Sequence, residues 1–169
     1  MKKIFIVVGI VIVLLAGLLT FLTKKESRIS LESDINIGSG KIVTYRDDHG
    51  GLHGDGTTFA IIDFGKENMK DKYKENKEWK PLPLTENLEI LNYGSKTGEE
   101  WNRLPTIADD KIKPLIPRIE KGYYFFKDRH FESQDPKDDT DIFNRYSMNF
   151  TFAVFDEDSN KMYYYKFDS

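Results

Sequence analysis

The ten residues DDHGGLHGDG, at positions 47–56, hold most of the side chains in this sequence that could do chemistry together. His49 and His53 are four positions apart, and Asp48 and Asp55 lie beside them. Imidazole nitrogens and carboxylate oxygens are ligands that a divalent metal such as zinc accepts. The stretch is therefore a candidate site for a metal, a ligand or a partner.

A second candidate position is the tetrapeptide KDRH, which ends an aromatic run and contains Asp128, Arg129 and His130. His130 is the third and last histidine of the chain. If the fold brings it against His49 and His53, three imidazoles with one open position would match the way a catalytic zinc is held. The two stretches together define the candidate contact residues.

The glycines of the first stretch favour a simpler interpretation. A His-x-x-x-His pair is a convincing metal motif only on a helix, and glycines at positions 50, 51, 54 and 56 disfavour one. In this interpretation the glycines allow a sharp reversal, the aspartates accept backbone hydrogen bonds, and the histidines pack locally. We favour it over a metal site, and contact with a small ligand or a partner remains a third possibility.

Composition excludes several classes of function. The chain has no cysteine, which removes disulfides, thiol nucleophiles and zinc–thiolate sites. Its 25 basic and 28 acidic residues give a net charge of −3 without a basic stripe, so nucleic-acid binding is disfavoured. No spaced set of nucleophile, base and acid is visible, so a binding role is favoured over an enzyme, and no cofactor is implied.

The elements that position these residues begin with an uncharged run over residues 4–23, which predicts a transmembrane helix because twenty residues span about 30 Å. We interpret the run as an uncleaved signal anchor that contacts the lipid bilayer through residues 4–23. Residues 1–3 would be a cytoplasmic head, residues 24–39 a polar stalk, and residues 40–169 one extracytoplasmic domain. A single-pass location in the cell membrane follows from this interpretation.

The domain itself is predicted to be α+β. Runs rich in β-branched and aromatic residues predict about five strands of an antiparallel sheet, and two segments with helical spacing predict two short helices. The strands fall at 41–45, 57–64, 122–131 and in a hairpin over 147–167, and the helices at 65–79 and 84–94. Both faces of the last strands carry large side chains, so the face away from the helices must be covered by loops, by a ligand or by a partner.

Four stretches carry a resemblance to known proteins: HGGLHGDGTTFAIIDF, WKPLPLTENLEILNYG, GYYFFKDRHFES and NRYSMNFTFAVFDEDSNKMYYYKFD. Together they resemble an uncharacterised family of small membrane-anchored or lipoprotein-like proteins of Gram-positive bacteria, over most of residues 40–168. The resemblance implies a location in the cell envelope and a shared domain, and it transfers no catalytic role. The chain lacks the acylated cysteine of lipoproteins, so the apolar run would be its sole anchor.

These observations lead to one leading hypothesis and two alternatives. The leading hypothesis is a membrane-anchored extracytoplasmic binding or interaction module, whose partner could be another envelope protein. The first alternative is a metal-dependent envelope hydrolase that uses His49, His53 and His130 as ligands, with Asp48 or Asp55 activating a water. The second is a structural or inhibitory protein whose aromatic sheet face is covered by a partner.

Overall fold

The computed structural model describes residues 9–15, 17, 24–38, 40–50 and 54–169. Its strands are β1 Lys41–Asp47, β2 Gly56–Asp63, β3 Lys80–Pro81, β4 Ser95–Thr97, β5 Glu100–Arg103, β6 Gly122–Asp128, β7 Phe150–Asp156 and β8 Lys161–Asp168. Its helices after residue 24 are α1 Lys25–Glu32, α2 Lys70–Glu75 and α3 Glu86–Tyr93.

Six strands form one sheet in the order β1-β2-β8-β7-β6-β3, and every neighbouring pair is antiparallel. Strands β7 and β8 form the predicted hairpin, in which Asp156 pairs with Lys161 across the turn. Strands β4 and β5 form a separate two-stranded sheet. Strand β8 lies between β2 and β7, so the last strand of the chain holds the sheet together.

One face of the sheet carries the first part of the core. Ala60, Ala153, Phe155, Met162 and Tyr164 all lie buried on this face. Residues 24–38, which include α1 and which we call the α1 segment, pack over them together with α2 and the indole of residue 79. We call this the α1 face.

The opposite face carries the second part of the core. Phe150, Phe152 and Tyr165 are buried there, and α3 and the chain on either side of Ile107 cover them. The sequence left open whether loops, a ligand or a partner cover the aromatic sheet face, and in the structure the chain itself covers both faces.

The α1 segment belongs to the core, although the sequence predicts a stalk over residues 24–39. Ile29, Ile35 and Ile37 are buried on the α1 face. The indole N–H of Trp79 donates to the carbonyl of Ser33 at 3.0 Å, which fastens the end of the helix. Three well-spaced isoleucines in a polar segment are enough to dock it, because the sheet face below them is apolar.

The structure corrects the prediction of a transmembrane helix over residues 4–23. Residues 4–8, 16 and 18–23 lie outside the described residues. Across the described ranges, no helix is both long and apolar enough to cross a membrane. This finding contradicts the predictions of a signal anchor, a single-pass location in the cell membrane and an extracytoplasmic domain.

The predicted α+β class is also corrected, because the molecule is mainly one six-stranded antiparallel sheet with few helices. The helix predicted over 65–79 shrinks to α2, Lys70–Glu75. Of residues 65–79, only Met69, Tyr73 and Trp79 are buried, and Trp79 lies beyond α2, so packing supports only about a turn and a half of helix. The predicted second helix forms as α3, where the hydroxyl of Thr85 accepts from the Leu88 N–H at 3.3 Å.

Truncation of the buried isoleucines tests whether the α1 segment is part of the folded domain. Ile29→Ala or Ile37→Ala should lower the free energy of unfolding by about 2–4 kcal/mol, because each leaves a cavity against the sheet. Leu31→Ala, at a position that is 61% exposed on the same segment, should change it by no more than about 0.5 kcal/mol. Urea unfolding followed by tryptophan fluorescence measures all three, and equal stability of the three variants would contradict the packing described here.

Candidate functional site

The two stretches that the sequence selects meet at one end of the sheet. The register pairs Gly56 with Asp168, Phe150 with Phe167, and Asp128 with Phe150. The loop after β1, the segment between β6 and β7, and the end of β8 therefore emerge side by side. We call this region, residues 48–50, 54–56, 129–149 and 168–169, the loop end of the sheet.

His49 is held between two carboxylates at the loop end. Its Nδ1 lies 2.8 Å from Oδ1 of Asp47, and its Nε2 lies 3.0 Å from Oδ2 of Asp168. An ionised carboxylate can only accept hydrogen bonds, so each ring nitrogen of His49 faces an acceptor. The imidazole links the end of β1 to the end of β8.

Asp168 is the centre of a wider network. Nη1 of Arg129 donates to its Oδ1 at 2.6 Å, and Nζ of Lys166 lies 3.5 Å from its Oδ2. The same guanidinium donates from Nη2 to the carbonyls of Phe150 and Phe167, both at 3.1 Å. Arg129 thus fastens the chain beyond β6 to the ends of β7 and β8.

The network continues to the α1 face. Nζ of Lys166 also donates to Oε1 of Glu32 at 3.2 Å, and the phenol of Tyr164 donates to Oε2 of the same carboxylate. Burial raises the pKa of Tyr164, and the charge and hydrogen bond of Glu32 raise it further, so the phenol remains a donor. The last residue of α1 is fixed to β8 in this way.

Two carboxyl groups of the network have lowered pKa values. Burial alone would raise the pKa of Asp168, but hydrogen bonds and charge from Arg129, with smaller contributions from Lys166 and His49, outweigh it. For Asp47, burial again raises the pKa, and hydrogen bonds from His49 and Tyr45 lower it by more. Both groups are therefore ionised in the folded protein at neutral pH.

The remaining acidic residues of the first stretch shape the turn. Oδ1 of Asp48 accepts from the backbone N–H of Thr57 and from its hydroxyl at 3.0 Å, and the N–H of Gly50 donates to the carbonyl of Asp55 at 3.2 Å. Gly56 has φ near 150°, and a Cβ there would lie 2.6 Å from Cα of His49. The glycine at this position therefore allows the returning chain to pass directly beside the histidine.

His130 occupies a different environment from His49. It is buried, its Nε2 lies 3.2 Å from the hydroxyl of Ser147, and its Nδ1 accepts from the N–H of Glu132 at 3.3 Å. A neutral ring with the proton on Nε2 satisfies both contacts. Beside it, buried Asp128 pairs with Nη1 of Arg145 and accepts from the N–H of His130 at 2.9 Å.

The arrangement does not bring the metal-ligand set together. His53 lies outside the described residues, and His49 and His130 have no contact partner in common. In the part of the chain that the structure describes, no three histidine or acidic side chains form a group suited to a metal ion. The nitrogens of both described histidines already face protein groups, so neither presents a lone pair to solvent.

A hydroxyl, an imidazole and a carboxylate do follow one another at the loop end. Oγ1 of Thr58 lies 3.3 Å from Nδ1 of His49, whose Nε2 faces Asp168. This sequence of groups resembles a nucleophile with its base. However, Asp47 is closer to the same Nδ1, and Thr58 is buried, so the hydroxyl lacks both a free base and access to a substrate.

Two aromatic side chains are exposed at the loop end. Phe131 is 78% exposed and Tyr146 is 83% exposed, and their rings lie 4.7 Å and 6.0 Å from the ring of His130. The two side chains are separated by fifteen positions in the sequence but share this buried base. We call Phe131 and Tyr146 the aromatic pair.

Comparison with known proteins gives no homologue. No protein family, no curated protein and no solved structure matches this chain. The family resemblance described above therefore stays a prediction.

Sequence reasoning missed most of the groups that hold the site together. Asp168, Lys166 and Glu32 lie in segments that read as a strand end and a stalk. A signal was present in KFD at the end of β8. Lys166 and Asp168 put two charges on the α1 face, where earlier positions of the strand carry apolar side chains. Tyr146 carried no signal, since an isolated tyrosine in a polar loop is uninformative.

Removal of the Asp168 carboxylate should make the free energy of unfolding less dependent on pH in the acidic range. Since the folded pKa of Asp168 is below its ordinary value of 3.8, its contribution is complete above that value and is lost as pH falls through the folded pKa. Asp168→Asn should therefore lower the free energy of unfolding by about 1–3 kcal/mol at about pH 7, because Arg129 and His49 lose their shared acceptor. The difference from the parent chain should shrink below about pH 3.

Urea unfolding at a series of pH values measures this effect. Asp158→Asn is the matched control, because that carboxylate is 71% exposed and the ion pair that it makes with Lys121 is 3.8 Å long. The control should follow the parent chain to within about 0.5 kcal/mol at every pH. Parallel pH profiles for Asp168→Asn and the control would show that the network contributes nothing.

Proposed function

We propose that this chain is a non-catalytic binding module that contacts a partner protein through the loop end of its sheet. The observation that carries the proposal is the aromatic pair, Phe131 and Tyr146, which is almost fully exposed on a buried polar base. Large exposed aromatic side chains that lie close together are characteristic of protein interfaces, where they supply a disproportionate share of the binding energy.

The base under the aromatic pair supports this role. His130 contacts both rings, and its own hydrogen bonds to Ser147 and Glu132 fix its orientation. The ion pair between Asp128 and Arg145 ties the segment that carries Tyr146 to the end of β6. A surface held in place before binding loses less conformational entropy when it meets a partner.

The size and charge of the neighbouring surface indicate the kind of partner. A hollow of about 90 Å³ beside the aromatic pair is lined by Glu132, Asp138, Asp141 and Arg145, among others. It is well below the roughly 300 Å³ of typical small-molecule sites, which favours a protein partner over a small ligand. The carboxylates favour a partner whose surface carries basic side chains around an apolar patch.

Photo-crosslinking identifies such a partner. A photoreactive phenylalanine analogue placed at 131 or at 146 should form an adduct with one protein that is absent when the analogue replaces Val43, which is 49% exposed on β1. That protein, once purified, should bind the parent chain, and its affinity should fall as ionic strength rises.

Loss of the aromatic pair should abolish most of this affinity. The double variant F131A/Y146A should raise the dissociation constant about tenfold or more, which corresponds to a loss of about 1.4 kcal/mol of binding free energy. Val43→Ala should leave the dissociation constant unchanged. Calorimetry measures binding, and thermal melting confirms that both variants are folded. Equal binding by F131A/Y146A and Val43→Ala, or adducts that form equally from all three positions, would reject the proposal.

A further inference from the structure

The edge of the sheet that is formed by β6 and the short strand β3 has a gap at Phe126. We call this edge the outer edge. Strand β3 pairs with β6 only at Tyr123 and Tyr124, and it begins at Lys80 because the N–H of Glu78 turns away to Oδ1 of Asn76 at 2.9 Å. Chain returns to this edge at Pro136, whose carbonyl accepts from the N–H of Asp128 at 2.7 Å.

The main chain of Phe126 points into this gap. Leu82 donates to the carbonyl of Gly122 on the outer edge, and the N–H of Asp128 donates outward to Pro136. Residues two apart in a strand present their main-chain groups to the same edge, so the N–H and carbonyl of Phe126 also face outward. Among the described residues, β3 has ended before this position and residue 136 bonds beyond it, which leaves one step of the edge open to another strand.

A groove runs over the gap. A hollow of about 340 Å³ is lined by Phe126, Leu31, Asp34 and Pro136, among others. A second hollow of about 450 Å³ continues along α1, and it shares Leu31 and Asp34 with the first. Leu31 is a large apolar side chain on the rim that the core does not use. The two hollows meet at Leu31 and Asp34, and together they form one open groove along α1.

The charges of the groove select the kind of segment. Its first hollow holds more carboxylates than ammonium groups, namely Glu32, Asp34, Glu78 and Asp135 against Lys127 and Lys137. Lys137 is already paired with Glu78 at 2.7 Å, and Glu32 is bonded to β8. The exposed carboxylates of Asp34 and Asp135 are therefore the groups placed to meet an incoming cation.

We propose that this groove binds an extended segment of a partner protein that carries a lysine or arginine and adds a strand to the sheet at Phe126. The segment pairs its backbone with the open N–H and carbonyl, packs an apolar side chain or aliphatic stem on Leu31, and directs its cation to Asp34 and Asp135. The site is separate from the aromatic pair and does not depend on it.

Amide hydrogen exchange measured by NMR tests the pairing directly. The probe is a short blocked peptide of alternating threonine and lysine, added to the full chain. It should slow exchange of the Phe126 amide by about tenfold or more, because that N–H gains an acceptor. The Asp128 amide, which is already bonded to Pro136, should keep its exchange rate.

Matched peptides and variants separate the parts of the proposal. A peptide with glutamate for lysine should not protect the Phe126 amide, and one N-methylated at alternate residues should bind at least about tenfold more weakly. The double variant L31A/D34N should lower the affinity for the lysine peptide by about tenfold. The control V43A/D158N, which changes an exposed apolar residue and an exposed carboxylate elsewhere, should leave the affinity unchanged.

Several results would overturn the proposal. Absence of protection at the Phe126 amide, equal binding of the lysine and glutamate peptides, or tolerance of N-methylation would each do so. Protection by free lysine alone would reassign the groove to a small cation. Loss of peptide binding in F131A/Y146A would move the peptide to the aromatic pair, whereas retention of binding there supports two independent sites.

Discussion

The central strands of this sheet are apolar on both faces, and this constraint determines the rest of the molecule. Phe150 and Phe152 of β7 lie buried on one side, and Ala153 and Phe155 of the same strand lie buried on the other. An antiparallel sheet of this kind cannot leave either face in water. The chain before β1 and the long connection between β3 and β6 are therefore drawn over the two faces, and the shape of every surface site follows from where these coverings begin and end.

The polar network at the loop end forms where the apolar rows stop. On the α1 face, Tyr164 is followed by Lys166 and Asp168, and Ala60 is preceded by Thr58. Charged groups that are partly withdrawn from water must pair with one another, because an unpaired charge costs several kcal/mol in such a setting. The network accordingly satisfies itself, and its pairing links α1 to the ends of β1, β6 and β8.

The surfaces left for function are those where coverage is incomplete. At the loop end, the segment between β6 and β7 places Phe131 and Tyr146 outside the core, on the ring of His130. At the outer edge, β3 is too short to cover β6, and Phe126 is left between two fixed points. An exposed edge is normally protected against other strands. Here α1 and Pro136 narrow the access to it instead, which makes the edge selective for a short segment.

Local pattern in the sequence determined the longer strands β1, β2, β6, β7 and β8, the β7–β8 turn and the caps of α3 at Thr85 and Gly94, because alternation and capping depend on neighbouring residues. The short strands β3, β4 and β5 were not predicted. It also gave the turn-forming role of Asp48. Pattern could not give the position of the isoleucines before β1, because hydrophobicity does not say which surface a residue will meet. Only the tertiary structure decided that His49 meets Asp168, 119 positions away, and that His130 does not join it, since long-range register follows from packing of the whole sheet.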